Sequence, residues 1–402
     1  MPFENSGGFD RMWADLAPVG RHPASGGYRR FAWTREDAVL REWFTAEAVA
    51  RGLDVTTDRA GNLWAWTTDP DTAGPGLVVG SHLDSVPDGG AFDGPLGIVS
   101  AFAALDALGA RGWTPGRPVG VACFGDEEGA RFGVACAGSR LLTGVLDADR
   151  ARSLADEDGR TMAEAMTAAG ADPRLLGRDD EALRRIGTFL ELHVEQGRAL
   201  VDDGAAVGVA SAIWPHGRWR LNLRGRADHA GTTRLADRDD PMPALAAAIL
   251  EARAAAGRSG SLATVGKVRV EPNGVNAIPS AVTAWLDARG PDEDGVRSVV
   301  ADVGRAAGTV PVEESWTPTT AFDAHLRNRL AALLADDAGT PAPVLATGAG
   351  HDAGILAAAG IPSAMLFVRN PTGVSHSPAE HAEPADCSAG VAALARAIEA
   401  LA

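Results

Sequence analysis

Three short apolar runs each lead directly into imidazole and carboxylate side chains. Leu77-Val78-Val79 passes through Gly80-Ser81 into His82-Leu83-Asp84, and Asp93 follows within Gly90-Ala91-Phe92-Asp93-Gly94. The run over 119–124 ends in Gly125-Asp126-Glu127-Glu128-Gly129, and the run over 188–192 leads into His193-Val194-Glu195-Gln196-Gly197. Such runs read as buried strands of a largely parallel sheet with helices on its faces. In open sheets of that kind, ligands bind beyond the carboxyl ends of the strands. Three sequence-distant strands that bring His, Asp and Glu to one edge are what a metal site requires.

The rest of the pattern supplies the helices. Thr34 with Asp37 in the first turn caps a helix over 36–51, after which 53–55 and 63–66 read as strands around a turn. Helices are expected over 95–110, 352–359 and 388–401, and a further strand over 364–368. The middle differs. A strand (218–223), a helix (243–256), two strands (263–270 and 281–287), a helix (295–307) and a strand (310–315) follow one another. That β-α-β-β-α-β order is ferredoxin-like. The expected fold is an α/β, mainly parallel-sheet domain over 1–210 and 325–402, interrupted by a ferredoxin-like α+β domain over 211–324.

Charge narrows the partners. Against 37 Lys+Arg stand 53 Asp+Glu, a net charge of −16 with no basic run, which argues against nucleic acid and against an anionic membrane surface. Hydrophobic residues at 46% and charged residues at 22% suit a globular chain. Cys123, Cys136 and Cys387 are widely spaced without a CxxC, so neither a disulfide scaffold nor a thiolate zinc site is expected. The start, MPFENSGGFDRMW, lacks the basic and apolar regions of a signal peptide, and no apolar stretch reaches the length of a membrane span. A cytoplasmic location is expected.

Imidazole and carboxylate without thiolate suit Zn, Mn, Co or similar divalent ions. The candidate ligands are His82, Asp93, Glu128, His193 and His376, the last from Gly373-Val374-Ser375-His376-Ser377-Pro378. Residues two apart in an extended segment point the same way, so Asp84 can orient His82. Of the tandem Glu127-Glu128, one can bind metal while the other stays free as a base, the arrangement of metal-assisted hydrolysis. Singly, each motif has a plainer explanation: a turn at Asp93-Gly94, a solvated loop at Glu127-Glu128, a core imidazole at His193. Their recurrence at successive strand ends is what those explanations leave over.

The segments GSHLDSVPDGGAFDGPLG, GDEEGARFG, ELHVEQG, DHAGTT, GVNAIPS, GAGHDAG and GVSHSPAEH resemble the dinuclear amidohydrolases of the M20 metallopeptidase clan. They are most similar to the branch holding N-carbamoyl-L-amino-acid amidohydrolases, allantoate amidohydrolases and beta-ureidopropionases. The motifs run in order from about residue 20 to the C-terminus. The resemblance implies two divalent ions (Zn, Mn, Co or Ni) on His82, Asp93, Glu128, His193 and His376, with Asp93 bridging. It implies Glu127 as general base and Asp84 as the orienter of His82. A histidine at His193, where peptidase relatives carry a carboxylate, implies carbamoyl or ureido substrates ahead of peptides. The inserted domain resembles a lid and dimerisation domain of a homodimer, whose His229 polarises the scissile carbonyl in its own or the neighbouring site.

Gln196, Asn276 and Arg289 match substrate-holding positions, Arg289 as a carboxylate clamp; a salt bridge at Arg289 and a turn at Asn276 are the plainer alternatives. The implied substrate is small and carboxylate-bearing. N-carbamoyl-L-amino acids come first, allantoate second, then beta-ureidopropionase or aminoacylase and peptidase substrates. One departure stands out: Arg234-Leu235 follows DHAGTT where the family commonly has Pro-Met. His216 and Arg238 carry no assigned role, and His351 either lies near the site or starts a helix with Asp352.

Overall fold

The computed structural model describes residues 6–402. The chain divides into two compact units, one running up to Ser211 and again from Ala321, the other Ala212–Thr320. In the first unit the apolar runs pair as a parallel centre. Val119–Phe124, Gly76–His82, Ile186–Val194 and Ser363–Val368 lie side by side in that order. Val79 faces Val121 on one neighbour and Leu190 on the other. Every residue of Gly76–His82 and Val119–Phe124 is buried, as strands covered on both faces require.

This centre lies within a nine-stranded sheet, three of whose outer strands pair antiparallel. Leu63–Trp66 and Asp54–Thr57 extend it past Val119–Phe124, and Val207–Ile213 past Ser363–Val368. Helices Pro95–Ala110 and Pro384–Leu401 bury Leu96, Ile98, Phe102, Leu394 and Ile398 in one core with Leu77, Val79, Val121 and Leu190. Both open on proline, whose missing N–H costs nothing in a first turn. That accounts for the last helix starting four residues ahead of the expected 388. Helix Arg35–Ala50 is capped by Thr34, whose Oγ1 accepts from the Asp37 N–H at 3.4 Å.

The second unit is a four-stranded antiparallel sheet in the order Val312–Thr317, His216–Arg224, Ala281–Arg289, Leu262–Glu271. With helices Met242–Ser259 and Glu293–Ala307 in sequence between them, the β-α-β-β-α-β order is ferredoxin-like. Alternate strand residues Trp219, Leu221, Leu223, Val282, Ala284 and Leu286 share a core with Leu245, Val296 and Val299 of the helices. The last strand begins at Val312 rather than 310, since Pro311 has no N–H for a ladder. Leu262–Glu271 closes one side of the sheet and is mostly exposed. Among the described residues no helix is long and apolar enough to cross a membrane, and Cys123, Cys136 and Cys387 are buried and unpaired.

Candidate metal centre

The parallel strands deliver their polar residues at one edge. His82 ends Gly76–His82, His193 is the penultimate residue of Ile186–Val194, and Glu127-Glu128 follow Val119–Phe124 across a turn whose Asp126 has φ of 55°. Asp93 comes from the loop before helix Pro95–Ala110. At Gly94, φ is 85° and a Cβ would lie 2.4 Å from the His82 ring. Only glycine lets that turn close onto the imidazole.

Asp93 is the shared member of two triads. Its Oδ1 lies 3.5 Å from Nε2 of His82 and 3.1 Å from Nε2 of His193. Its Oδ2 lies 3.4 Å from Nε2 of His376, which is 3.5 Å from Oε2 of Glu128. In His82–Asp93–His193 and again in Asp93–Glu128–His376, one ligand atom per residue falls within 4.8 Å of the others. The first triad is wholly buried, whereas the second opens to solvent at His376.

Ring orientation follows from the backbone. Nδ1 of His82 faces the Asp84 carbonyl at 3.1 Å, and Nδ1 of His193 faces the Val194 carbonyl at 2.9 Å. A carbonyl only accepts, so each ring keeps a proton on Nδ1, and in its neutral, metal-binding form turns the Nε2 lone pair inward. In the metal-free protein burial opposes their charge, yet the neighbouring carboxylates raise both rings above the ordinary imidazole value. Both Nε2 atoms and Oε1 of Glu128 are buried with no hydrogen-bond partner. Buried polar atoms left unmatched are costly. With nitrogen and oxygen donors and no thiolate, the cluster fits a divalent metal ion.

Asp84 acts differently from the expected carboxylate–imidazole pair. Its carboxylate oxygens accept from the N–H groups of Glu127 at 3.1 Å and Glu128 at 3.0 Å, and stand 3.5 Å from His82 Nδ1. Asp84 therefore steers His82 mainly through its own carbonyl while its carboxylate pins the glutamate pair. Glu127 belongs to neither triad: Oε2 lies 3.8 Å from His82 Nε2, and Oε1 accepts from the Cys136 thiol at 3.3 Å.

The charges are strongly biased. Burial, with repulsion from Asp352, Glu128 and Asp84, pushes Glu127 well above the usual carboxylate range. Burial and then Asp93 raise Glu128 to about 7. The hydrogen bond to Asp93, reinforced by Glu128, raises His376 to about 9. Burial opposes the charged form of Asp93, yet the close imidazoles of His193, His376 and His82 hold it well below the usual value.

Three residues join the site that the sequence left unassigned or open. Glu380 is buried, its Oε1 accepting from the Phe92 and Asp93 N–H groups at 2.8 and 2.9 Å. Glu191 and His351 form a further buried group with His193, the two imidazole centroids 4.5 Å apart. His351 also precedes helix Asp352–Ala358, so both of its descriptions hold. Glu380 lies four residues after His376 within the GVSHSPAEH segment, which is the signal that could have found it.

Gln196 sits at the centre too, donating to Asp93 Oδ2 at 2.9 Å and Ser375 Oγ at 3.1 Å. In the second unit, the short strands Asp228–His229 and Ala277–Ile278 pair, which brings His229 and Asn276 together; the Ala230 N–H donates to the Asn276 carbonyl at 3.0 Å. His229 Nδ1 accepts from the Gly231 N–H at 3.0 Å, so its proton lies on Nε2. Arg238 gains a role by holding the carbonyls of Ala230 and Thr233 at 2.6 and 3.2 Å. Arg289 is gripped by Asp287 through Nε at 2.9 Å and Nη2 at 2.7 Å, and faces His216 across the strand pair. Arg234 pairs with Asp237 at 2.6 Å in a 3-10 turn, where the family motif departs.

The sequence model of peptidase family M20/M25/M40 matches residues 78–400. The chain belongs to this family. Within it, the chain is 36% identical to an N-carbamoyl-L-amino acid amidohydrolase of Geobacillus stearothermophilus, over 96% of each chain. It is 32% identical to an allantoate amidohydrolase of Escherichia coli, over 94% of each. The crystal structure of a hydantoinase/carbamoylase-family amidase from Burkholderia vietnamiensis matches with a TM-score of 0.87 at 30% identity, covering 98% of this chain and 97% of that one. The M20-family relatives thus span both units.

Proposed function

We propose that this chain hydrolyses the carbamoyl C–N bond of N-carbamoyl-L-amino acids, with one water consumed and the free amino acid, ammonia and carbon dioxide released. The observation that carries it is Asp93 shared between two His/carboxylate triads, with Glu127 outside both. His82, Asp93 and His193 would hold one divalent ion, and Asp93, Glu128 and His376 a second, drawn from Zn, Mn, Co or Ni. Such ions polarise a carbonyl and acidify water when bound.

The remaining steps belong to the chain's own residues. Glu127, raised by burial, takes a proton from the attacking water at Oε2 and passes it to the leaving nitrogen. His229 donates Nε2–H to the oxygen on which negative charge develops. Arg289 binds the substrate carboxylate, while Gln196 and Asn276 orient the ureido group. Allantoate is the second reading, supported by the relative that carries that name.

The mostly exposed edge strand Leu262–Glu271, with exposed Ile249 and Leu250 on the neighbouring helix, supports a homodimer built on the second unit. Three buried, unpaired cysteines suit a reducing compartment such as the cytoplasm. Ammonia release from N-carbamoyl-L-amino acids and from allantoate, measured with metal-reconstituted protein, tests the proposal. Release from the former with little from the latter is expected; release from neither overturns the substrate class.

A further inference from the structure

Asp93 is held very differently on its two sides. Oδ1 faces His82 and His193, both delivered by strands of the parallel centre. Oδ2 faces Gln196, Ser375 and His376, all outside those strands. His376 is half-exposed, and its φ of 54° is a left-handed conformation that a β-carbon disfavours. Something must hold that segment in register with Asp93.

Gln196 bridges the side chains of Asp93 and Ser375, and Glu380 ties the Asp93 backbone itself to the same segment. Oε1 receives the N–H groups of Phe92 and Asp93, fixing the backbone of the shared carboxylate. Oε2 lies 3.3 Å from Oγ of Ser375, the residue before His376, and that hydroxyl is also 3.3 Å from Asp93 Oδ2. Packing at Gly90 is tight enough that a Cβ there would come within 2.4 Å of Glu380. The carboxylate belongs to neither triad, yet it joins the Asp93 loop to the His376 loop, two of the three segments that supply the second one.

We propose that Glu380 is a positioning residue that makes the Asp93–Glu128–His376 position bind its metal, leaving the His82–Asp93–His193 position largely independent of it. This rests on the dinuclear reading above. Outer residues that orient ligands contribute about 10- to 100-fold in metal affinity. The loss falls chiefly on that position because it takes both Asp93 and His376 from segments Glu380 fastens, whereas the first takes only Asp93 from them beside two strand-borne histidines.

The test is a Co(II) titration of full-length, metal-stripped protein, followed by calorimetry and by the visible absorption of bound cobalt. Wild type should take up two equivalents. Glu380→Ala should bind the first with wild-type affinity and the second about 10- to 100-fold more weakly. Glu380→Gln should recover most of that loss, because its amide oxygen still accepts both N–H groups. Metal-free Glu380→Ala should keep the circular dichroism of wild type; if it does not fold, Ser375→Ala cuts the same link and must show the same selective weakening. Two equivalents bound as tightly by the variant as by wild type, or both weakened equally in a folded variant, overturns the assignment alone. A wild-type protein that binds one equivalent overturns the dinuclear reading and the assignment with it.

Discussion

Cys136 holds Glu127 at both ends. Its thiol donates to Oε1 at 3.3 Å and its backbone N–H donates to the Glu127 carbonyl at 2.5 Å. The free oxygen, Oε2, is thereby turned toward His82 Nε2, 3.8 Å away, without joining a ligand set. A carboxylate fixed beside a cation site but outside its ligands is available for proton transfer.

Glu127→Gln should accordingly bind metal at wild-type stoichiometry. General acid–base contributions run at about 10²- to 10⁴-fold, so kcat should fall by that range with KM little changed. Metal analysis beside steady-state kinetics checks it. Wild-type turnover in the variant removes Glu127 from the mechanism.

Metal affinity should climb with pH. In the metal-free protein His376 is raised to about 9, so below that pH it carries a proton that must leave before the ring can bind an ion. Glu128, raised to about 7, adds a second proton below neutrality. Against burial, carboxylate neighbours raise His82 and His193 as well, so the logarithm of the affinity should rise with a slope of at least one up to about pH 9, and more steeply below pH 7. Calorimetry in buffers of different ionisation enthalpy counts the released protons, and a flat profile contradicts the ligand assignment.

Much of this site is legible in sequence because its ligands sit at strand ends. Glycine-bounded apolar runs mark the strands, and the polar residues directly after them mark the edge. What escapes is of two kinds. Glu380 and Cys136 act through backbone N–H groups and a loop contact, which leave no periodic trace. Helices Ala137–Thr143, Ala148–Ser153 and Met162–Ala168 span two turns or fewer, too short for a 3.6-residue pattern to register. Helix Ser6–Leu16 hides behind Gly7-Gly8 in its first turn, a poor helix signal. Strand Val207–Ile213 mixes Gly, Ala and Ser with its branched residues and shows no clean alternation.

Phe124 is the apolar floor beneath the glutamate turn. Its ring meets Trp64 at 5.7 Å and Phe189 at 5.6 Å, both edge-on, and it is 1% exposed. Phe124→Ala should cost about 3–5 kcal/mol, the range for emptying a buried aromatic site. Urea unfolding of the metal-free protein measures this, and a loss under 1 kcal/mol would mean the neighbouring rings close the cavity.

Arg289 offers the sharpest check on substrate class. Asp287 engages its Nε and Nη2, which fixes the plane of the guanidinium. Lysine brings one point charge and no fork, so Arg289→Lys keeps the charge but loses the planar geometry. KM for an N-carbamoyl-L-amino acid should rise about 10- to 100-fold, the cost of a charge-assisted bidentate pair, with kcat and metal content changed far less. The corresponding amide, which lacks the carboxylate, should be turned over alike by both proteins. If Arg289→Lys handicaps the amide as severely as the acid, Arg289 does not bind the carboxylate and its bond with Asp287 is structural.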